Sequence, residues 1–265
     1  MGIKHLIIPA VIAGVIGAVT FIAVDELRKK AFGSLDQSPA YRVTGPLVSV
    51  VIPALEEQNY LPLLLTSIQN QTYESIEVIV ADSSPPESHE LTQEVCRQYG
   101  AKCIYVSELG VAHARNEGAR EAKGDILVFS DADNIMAPDS VETLVAVLQE
   151  GYTLANPVET VYDDGIIAFG AVWGRNWLKP ANKTTRCIAV WSDALWEIGG
   201  YDPSCDPMQG CREDLKLGQD IIARFGDGSI KLVRDALVAS SARREKAQGI
   251  HMWQSRGVRN GVIEY

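Results

Sequence analysis

The chain has 265 residues, of which 46% are hydrophobic and 22% are charged, and its formal net charge is -10. This length suits one large domain or two small ones, and the composition is that of a globular protein with a sizeable core. The acidic balance argues against a nucleic-acid-binding protein, because such proteins use a basic face to displace counterions from phosphates.

The N-terminal segment predicts a single membrane-spanning helix. Residues 6–24 read LIIPAVIAGVIGAVTFIAV, nineteen residues without a charge, which gives about 28 Å of helix, close to the roughly 30 Å hydrocarbon core of a bilayer. A cleaved signal peptide is the alternative, but the run is long for one and ends in Asp-Glu. Basic residues at 28–30 follow the span and only Lys4 precedes it, which predicts a single-pass membrane protein with its catalytic domain in the cytoplasm.

The cysteines predict free thiols in a reducing compartment, in agreement with that orientation. Their number is odd and no two are spaced as C-x-x-C, so neither a zinc site nor a disulfide framework is indicated. The five are Cys96, Cys103, Cys187, Cys205 and Cys211.

The chain divides into an anchor with its basic flank (1–30) and a linker rich in Gly, Ser and Pro (31–46), followed by a folded domain. We expect this domain to span 47–244, with one half at 47–154 and the other at 155–244. A C-terminal tail follows at 245–265.

In the first half, short apolar runs alternate with segments of helical spacing. The runs are β-branched and nearly continuous in hydrophobicity, as in strands covered on both faces. The predicted strands are 47–53, 76–81, 101–106 and 125–130. The predicted helices are 61–68, 91–99, 112–122 and 141–148, with Gly100 and Gly124 as left-handed caps. This alternation predicts an α/β fold, a Rossmann-like, mostly parallel sheet with helices on both faces.

The second half is less regular. A strand is predicted at 187–191, a short helix at 193–202 and a second helix at 214–226. SIKLV (229–233) and ALVAS (236–240) predict two further strands.

Acidic residues follow two of the strands in the first half. Asp82 and Asp131 lie at carboxyl ends, where ligands bind in parallel α/β sheets. Asp131 and Asp133, in FSDADN, are carboxylates two residues apart that can hold Mg²⁺ or Mn²⁺ and leave room for phosphates. A solvated turn is the alternative for this pair, and a capped turn is the alternative for Asp82.

Charged residues elsewhere have two interpretations each. Arg115 and Asn116, near the start of a helix, offer a cation and an amide to a nucleotide, or belong to a solvated amphipathic helix. Glu213 and Asp214 offer a general base, or favour the dipole of the helix that they begin. Arg243 and Arg244 would lie near a diphosphate, or they belong to a solvated charge run. His251 would be a metal ligand or a surface residue. Tryptophans stack on sugars or fill the core: Trp173, Trp177, Trp191, Trp196 and Trp253.

In this order the segments resemble the GT-A fold glycosyltransferases of the large inverting family 2, over roughly residues 47–244. VSVVIPALEEQNYLPLLLTSIQNQTYESIEVIVADSS is similar to the opening strand-helix-strand of that family. ARNEGAREAKGDILVFSDADN is similar to its Arg-Asn-x-Gly segment and DxD motif. IGGYD and REDLKLG are similar to its acceptor-side motifs.

The resemblance implies a role for each donor-side residue. Asp82 would accept a hydrogen bond from the nucleobase, and Pro53 and Glu56 would shape the same pocket. Asp131 would contact the ribose or the metal, and Asp133 would bind the metal ion, Mg²⁺ or Mn²⁺, that bridges the diphosphate of a UDP- or GDP-sugar.

On the acceptor side, Asp214 would be the general base and Glu213 would support it. The chain departs from the family at ALEEQ, where many relatives have an asparagine, and it lacks the Gln-x-x-Arg-Trp motif of processive synthases. We therefore expect a non-processive enzyme that adds one sugar to a lipid-linked or glycan acceptor. The alternatives are a nucleotidyltransferase and an inactive, membrane-tethered glycan-binding or scaffolding protein.

Overall fold

The computed structural model describes residues 38–162, 166–205, 211–241 and 243. The predicted membrane span, its basic flank, Arg244 and His251 lie outside these residues. Within the described ranges, none of the helices has the length and apolar character needed to cross a bilayer.

In the described part of the chain, eight strands form one sheet in the order β3-β2-β1-β4-β7-β6-β8-β5. Strands β1 to β4 are parallel to their neighbours among themselves, as predicted. The strands are β1 (Val48–Ala54), β2 (Ile76–Asp82), β3 (Lys102–Tyr105), β4 (Ile126–Phe129), β5 (Asn134–Met136), β6 (Leu154–Val161), β7 (Ile188–Trp191) and β8 (Ile230–Ser240).

The second half of the sheet is mixed, so the prediction of a mostly parallel sheet is wrong there. β7 runs antiparallel to both β4 and β6, and β5 runs antiparallel to β8, whereas β6 and β8 are parallel. A strand buried on both faces is apolar in either direction. The sequence of β7 therefore gives no sign of its direction, which depends on the path of the chain.

The two strands predicted at 229–233 and 236–240 are one strand, β8. Pro157 of β6 pairs with Val233, and the next residue, Val158, pairs with Leu237. Residues 234–236 are thus inserted as a bulge, which explains the interruption of the apolar pattern.

Helices cover both faces of the sheet, as predicted. α1, α2 and α4 pack with one face of β1 and β4, and α3, α6 and α7 pack with the other. α5, which the sequence did not predict, contributes two tryptophans to a cluster with β6 and β8. The helices are α1 (Leu61–Gln69), α2 (Pro86–Tyr99), α3 (Val111–Arg120), α4 (Ser140–Gln149), α5 (Ile166–Trp177), α6 (Ser192–Glu197) and α7 (Glu213–Phe225).

The two predicted glycine caps have different outcomes. Gly100 has a φ of 69° at the end of α2, so its left-handed cap is confirmed. Gly124 is not a cap, because α3 ends at Arg120. A Cβ at Gly124 would lie 2.7 Å from the backbone of Leu47 and Ser49. Gly124 is required there because the chain passes directly against β1.

Cys205 and Cys211 form a disulfide, so the prediction of free thiols is wrong for these two residues. Cys96, Cys103 and Cys187 carry free thiols. The spacing of the cysteines in the sequence does not reveal this bridge.

Replacing Cys205 and Cys211 together by serine is expected to lower the free energy of unfolding by about 2 kcal/mol, because the bridge restricts the unfolded chain. Denaturant unfolding with and without a reductant measures the difference, and the double variant should not respond to the reductant. The unreduced, unfolded wild type should show the three thiols that the structure leaves free. A titration of all five cysteines would contradict the bridge.

Candidate functional site

The sheet brings several loops together at one edge. β1, β2 and β4 are parallel, with Ala54 opposite Asp82 and Val51 opposite Phe129. β7 starts at this edge because Ile188 pairs with Phe129. The predicted donor-side residues therefore follow neighbouring strands, although they are far apart in sequence.

A buried arginine joins the two halves of the site. Arg115 of α3 is fully buried. It donates a hydrogen bond of 2.9 Å to Asp131 and one of 3.0 Å to Glu213. Its guanidinium carbon lies 5.0 Å from the ring centre of Tyr201. Arg115 thus connects the loop after β4, the start of α7 and the loop after α6.

The charge of Arg115 is maintained by its neighbours. Burial lowers its pKa, but attraction from Tyr201, Asp131 and Glu213 outweighs this effect, so the pKa is raised above its ordinary value. Burial also raises the pKa of the Tyr201 hydroxyl. Arg115 therefore acts as a permanent counter-charge for the two carboxylates, and contact with a nucleotide stays a prediction.

Asn116 holds a loop by its amide. Its Nδ2 donates to the carbonyl of Tyr201 at 2.8 Å, and its Oδ1 accepts from the backbone N–H of the same residue at 2.9 Å. Two consecutive residues of α3 thus position Tyr201, one through its ring and one through its backbone. The structure places Asn116 against this loop, and a nucleotide contact stays a prediction.

Asp131 lies between two arginines. Besides Arg115, Arg186 approaches its second carboxylate oxygen at 3.3 Å. The side chain of Asp131 is 13% exposed. Its carboxylate therefore reaches the surface of the site while Arg115 and Arg186 balance its charge. Arg186, which directly precedes the predicted strand at 187–191, lies in no motif that would have indicated this contact.

Asp133 is buried and faces Arg243, the third residue after β8. Its side chain is 3% exposed, and its Oδ2 lies 3.2 Å from Nε of Arg243. Arg243 also forms an ion pair with Glu57 and stacks over Tyr60, with 4.4 Å between its guanidinium carbon and the ring centre. Glu57 lies in the ALEEQ segment and Tyr60 follows it closely, but the sequence pattern assigned neither residue a role.

Asp82 is fully buried at the end of β2 and accepts hydrogen bonds from its own loop. Ser84 donates to Oδ1 from its backbone and its hydroxyl, at 3.2 and 2.5 Å, and His89 Nδ1 lies 2.7 Å from Oδ2. The turn is therefore a capped one, as the alternative interpretation expected, and contact with a nucleobase stays a prediction.

The loop after β1 is connected to the Asp82 turn. The backbone N–H of Glu56 donates to the Ser84 hydroxyl at 2.7 Å, and Glu56 has a left-handed φ of 57°. Pro53 lies in β1, paired with Ala81 of β2. Pro53, Glu56 and Asp82 thus lie near the ends of two adjacent strands, and their role in a nucleobase pocket stays a prediction.

The two acidic residues at the start of α7, Glu213 and Asp214, have different partners. Glu213 accepts from Arg115, whereas Asp214 is 1% exposed and accepts from Arg212 and from the backbone N–H of Leu215. The Arg212 Nε–Asp214 Oδ1 distance is 3.0 Å. The N-cap residue is Arg212, and its side chain makes no capping hydrogen bond. Both carboxylates lie in the first turn of α7, as the helix-dipole explanation expects, and the role of Asp214 as a general base stays a prediction.

The residues around Asp133 can hold a divalent cation if phosphates and water supply its other ligands. Among the described residues, no group of three or more His, Cys, Asp and Glu side chains is arranged to hold a metal. Glu57, which shares Arg243 with Asp133, has a buried Oε2 that makes no hydrogen bond within this part of the chain. Two carboxylates with phosphates and water as further ligands are the usual Mg²⁺ environment.

Two solved structures are similar in fold to this chain. The mannosyltransferase PcManGT from Pyrobaculum calidifontis, in complex with GDP-Man and Mn²⁺, has a TM-score of 0.61 at 21% identity, over 92% of this chain and 70% of that one. TarS of S. aureus, in complex with UDP, has a TM-score of 0.56 at 15% identity, over 74% and 61%. These similarities confirm the predicted GT-A fold.

Sequence relatives match part of the chain. Glycosyltransferase GlyA from Streptococcus pneumoniae serotype 4 is 31% identical over 108 residues, 39% of this chain and 15% of GlyA. A dolichol-phosphate mannosyltransferase from Pyrococcus furiosus is 34% identical over 113 residues, 41% of this chain and 32% of that protein. The matches thus span about a third or less of these curated relatives.

A family model matches more than half of the chain. The model described as Glycosyl transferase family 2 covers residues 49–189. This range includes Asp82, Arg115, Asp131 and Asp133, on which the resemblance in the sequence was based. The chain belongs to glycosyl transferase family 2.

Proposed function

We propose that the protein is an inverting glycosyltransferase that moves one sugar from a nucleotide-diphosphate sugar to a hydroxyl or phosphate acceptor. The observation that supports this most is the junction at Arg115. It brings Asp131, from the donor-side motif, beside Glu213, the neighbour of the proposed base. A donor at Asp131 and an acceptor at Asp214 would then meet at one edge of the sheet.

The donor would lie across the ends of β1, β2 and β4. Pro53, Glu56 and Asp82 would bound the nucleobase, and Asp131 would accept from the ribose. Complexes of PcManGT with GDP-Man and Mn²⁺ and of TarS with UDP support a GDP- or UDP-sugar. Asp133 would hold Mg²⁺ or Mn²⁺, which supplies a Lewis acid for the negative charge on the departing diphosphate.

The acceptor would be activated by Asp214. The carboxylate takes the proton of the acceptor hydroxyl, the acceptor oxygen forms a bond to the anomeric carbon, and the bond from that carbon to the diphosphate breaks. Because no protein nucleophile takes part, the single displacement inverts the anomeric centre. Arg212, whose side chain is 58% exposed, forms an ion pair with the buried Asp214, and an acceptor that reaches Asp214 would displace this arginine.

The location and the acceptor are further parts of the proposal. The apolar run at residues 6–24 supports a membrane anchor, and an anchor favours a lipid-linked or membrane-proximal glycan acceptor. We place the catalytic domain in the cytoplasm on the basic residues at 28–30. A Cys205–Cys211 bridge is uncommon in a reducing compartment, so the thiol state in cells tests the orientation independently.

Nucleotide titration tests the donor site. Calorimetry of the full-length chain in detergent with UDP, GDP, CDP and dTDP, each with and without Mn²⁺, is expected to show metal-dependent binding of one nucleotide. Asp133→Ala should weaken that binding about tenfold or more, because it removes a metal ligand. Asp227→Ala, which changes an exposed carboxylate elsewhere, should leave it unchanged.

The alternatives predict other results. If a folded sample binds none of the four nucleotides, the inactive glycan-binding or scaffolding protein becomes the better explanation. A nucleotidyltransferase would instead bind the nucleoside triphosphate and release pyrophosphate. The acidic ALEEQ loop after β1, which lacks glycine, does not favour such a triphosphate site.

A further inference from the structure

Arg243 reaches the donor side through the pairing of β5 with β8. These strands are antiparallel, with Asn134 opposite Ser240. The chain that leaves β8 therefore passes along Asp133, whose carbonyl accepts from the backbone N–H of Ser241 at 3.0 Å. Sheet register thus determines that the side chain of Arg243 lies beside Asp133.

The guanidinium of Arg243 has three kinds of contact. Its Nε lies 3.2 Å from Oδ2 of Asp133, it forms an ion pair with Glu57, and it lies over the ring of Tyr60. The side chain is 28% exposed, whereas those of Asp133 and Glu57 are 3% and 15% exposed. Arg243 therefore covers the carboxylate that the proposed metal site uses.

Deprotonation does not release this contact. A guanidinium is not deprotonated in proteins, so Arg243 keeps its positive charge whatever the pH. Its departure from Asp133 consequently requires a competing cation.

We propose that Arg243 is a resident counter-cation of Asp133 that a divalent metal ion must displace. The inference rests on the proposed function, since it concerns the metal site of that reaction. Guanidinium and metal ion both need the Asp133 carboxylate, so each weakens the binding of the other.

The test measures Mn²⁺ binding without nucleotide, from the electron paramagnetic resonance signal of free Mn²⁺ and the full-length chain in detergent. Arg243→Gln is expected to tighten Mn²⁺ binding about tenfold, within the usual range of coupling between two ligands. Tyr60→Leu keeps all charges and removes only the ring contact, so it should tighten binding about threefold.

Matched variants separate a direct contact from a general change in charge. Arg212→Gln removes the same charge from an arginine that pairs with Asp214 rather than Asp133, and it should change Mn²⁺ affinity less than about twofold. Equal tightening by Arg212→Gln and Arg243→Gln would overturn the proposal. So would an unchanged affinity in both Arg243→Gln and Tyr60→Leu.

Asp133→Asn distinguishes failure of this inference from failure of the proposed function. If wild type binds Mn²⁺ through Asp133 but Arg243→Gln does not tighten binding, the counter-cation is overturned and the donor site stands. If neither wild type nor Arg243→Gln binds Mn²⁺, or if Asp133→Asn has no effect on binding, the metal site and the counter-cation are both overturned.

Discussion

Replacing Asp214 by asparagine is expected to lower kcat by about 10²- to 10⁴-fold, the usual contribution of a general base. Asparagine keeps the shape of the side chain and an oxygen that can accept from Leu215, so the start of α7 should fold normally. Nucleotide affinity should change little, because the proposed donor contacts lie on the strand ends. Initial rates of sugar transfer and calorimetric titration with the nucleotide measure the two effects separately.

Two further variants on α7 sharpen the test. Asp220→Asn removes a carboxylate that pairs with Lys216 near the surface, and it should retain wild-type kcat. Glu213→Gln weakens the contact with Arg115 and should lower kcat less than Asp214→Asn. Wild-type turnover by Asp214→Asn, or a larger loss in Glu213→Gln, would show that the base is assigned to the wrong residue.

Arg115→Met is expected to lower the free energy of unfolding by about 3 to 5 kcal/mol, because removing one partner of a buried ion pair leaves charge without compensation. Asp131 and Glu213 would then both lose the guanidinium that connects them. Methionine fills a similar apolar volume, so little of the loss comes from a cavity. Chemical denaturation at neutral pH measures the change.

The control for Arg115 is another arginine of the same helix. Arg120 is exposed and pairs with Glu117, so Arg120→Met should cost less than about 1 kcal/mol. The double variant Arg115→Met, Glu213→Gln should recover part of the loss, since one of the uncompensated charges is removed. A loss within about 1 kcal/mol for Arg115→Met would mean that Arg115 does not hold the two halves together.

Much of the donor half was predictable because its signals are local. β1 to β4 are apolar runs between turn signals, and helices α1 to α4 follow them with regular spacing. Their boundaries differ from the predictions by a few residues, most at α2, which begins at Pro86 rather than near Leu91. A proline in the first turn suits a helix start, and the prediction overlooked it.

The remaining strands were less predictable because they depend on partners. β5 is a strand of three residues, too short for a pattern, and it exists because β8 pairs with it. β6 contains Asn156, Glu159 and Thr160, whose polar side chains are buried by tertiary contacts. It also contains Pro157. Without its tertiary partners, a segment with these polar residues and a proline is typical of a loop.

The sequence by itself determined the family, the class of fold and the identity of the acidic residues at the site, because these are carried by motifs and by periodicity along the chain. Only the tertiary structure decided which charges meet. Arg115 reaches Glu213 across 98 positions and Arg243 reaches Glu57 across 186. Such pairs follow from strand order and register, which are fixed by packing of the whole sheet. The sequence therefore named the acidic motifs together with Arg115 and Arg243, and the fold decided which of these charges lie in contact.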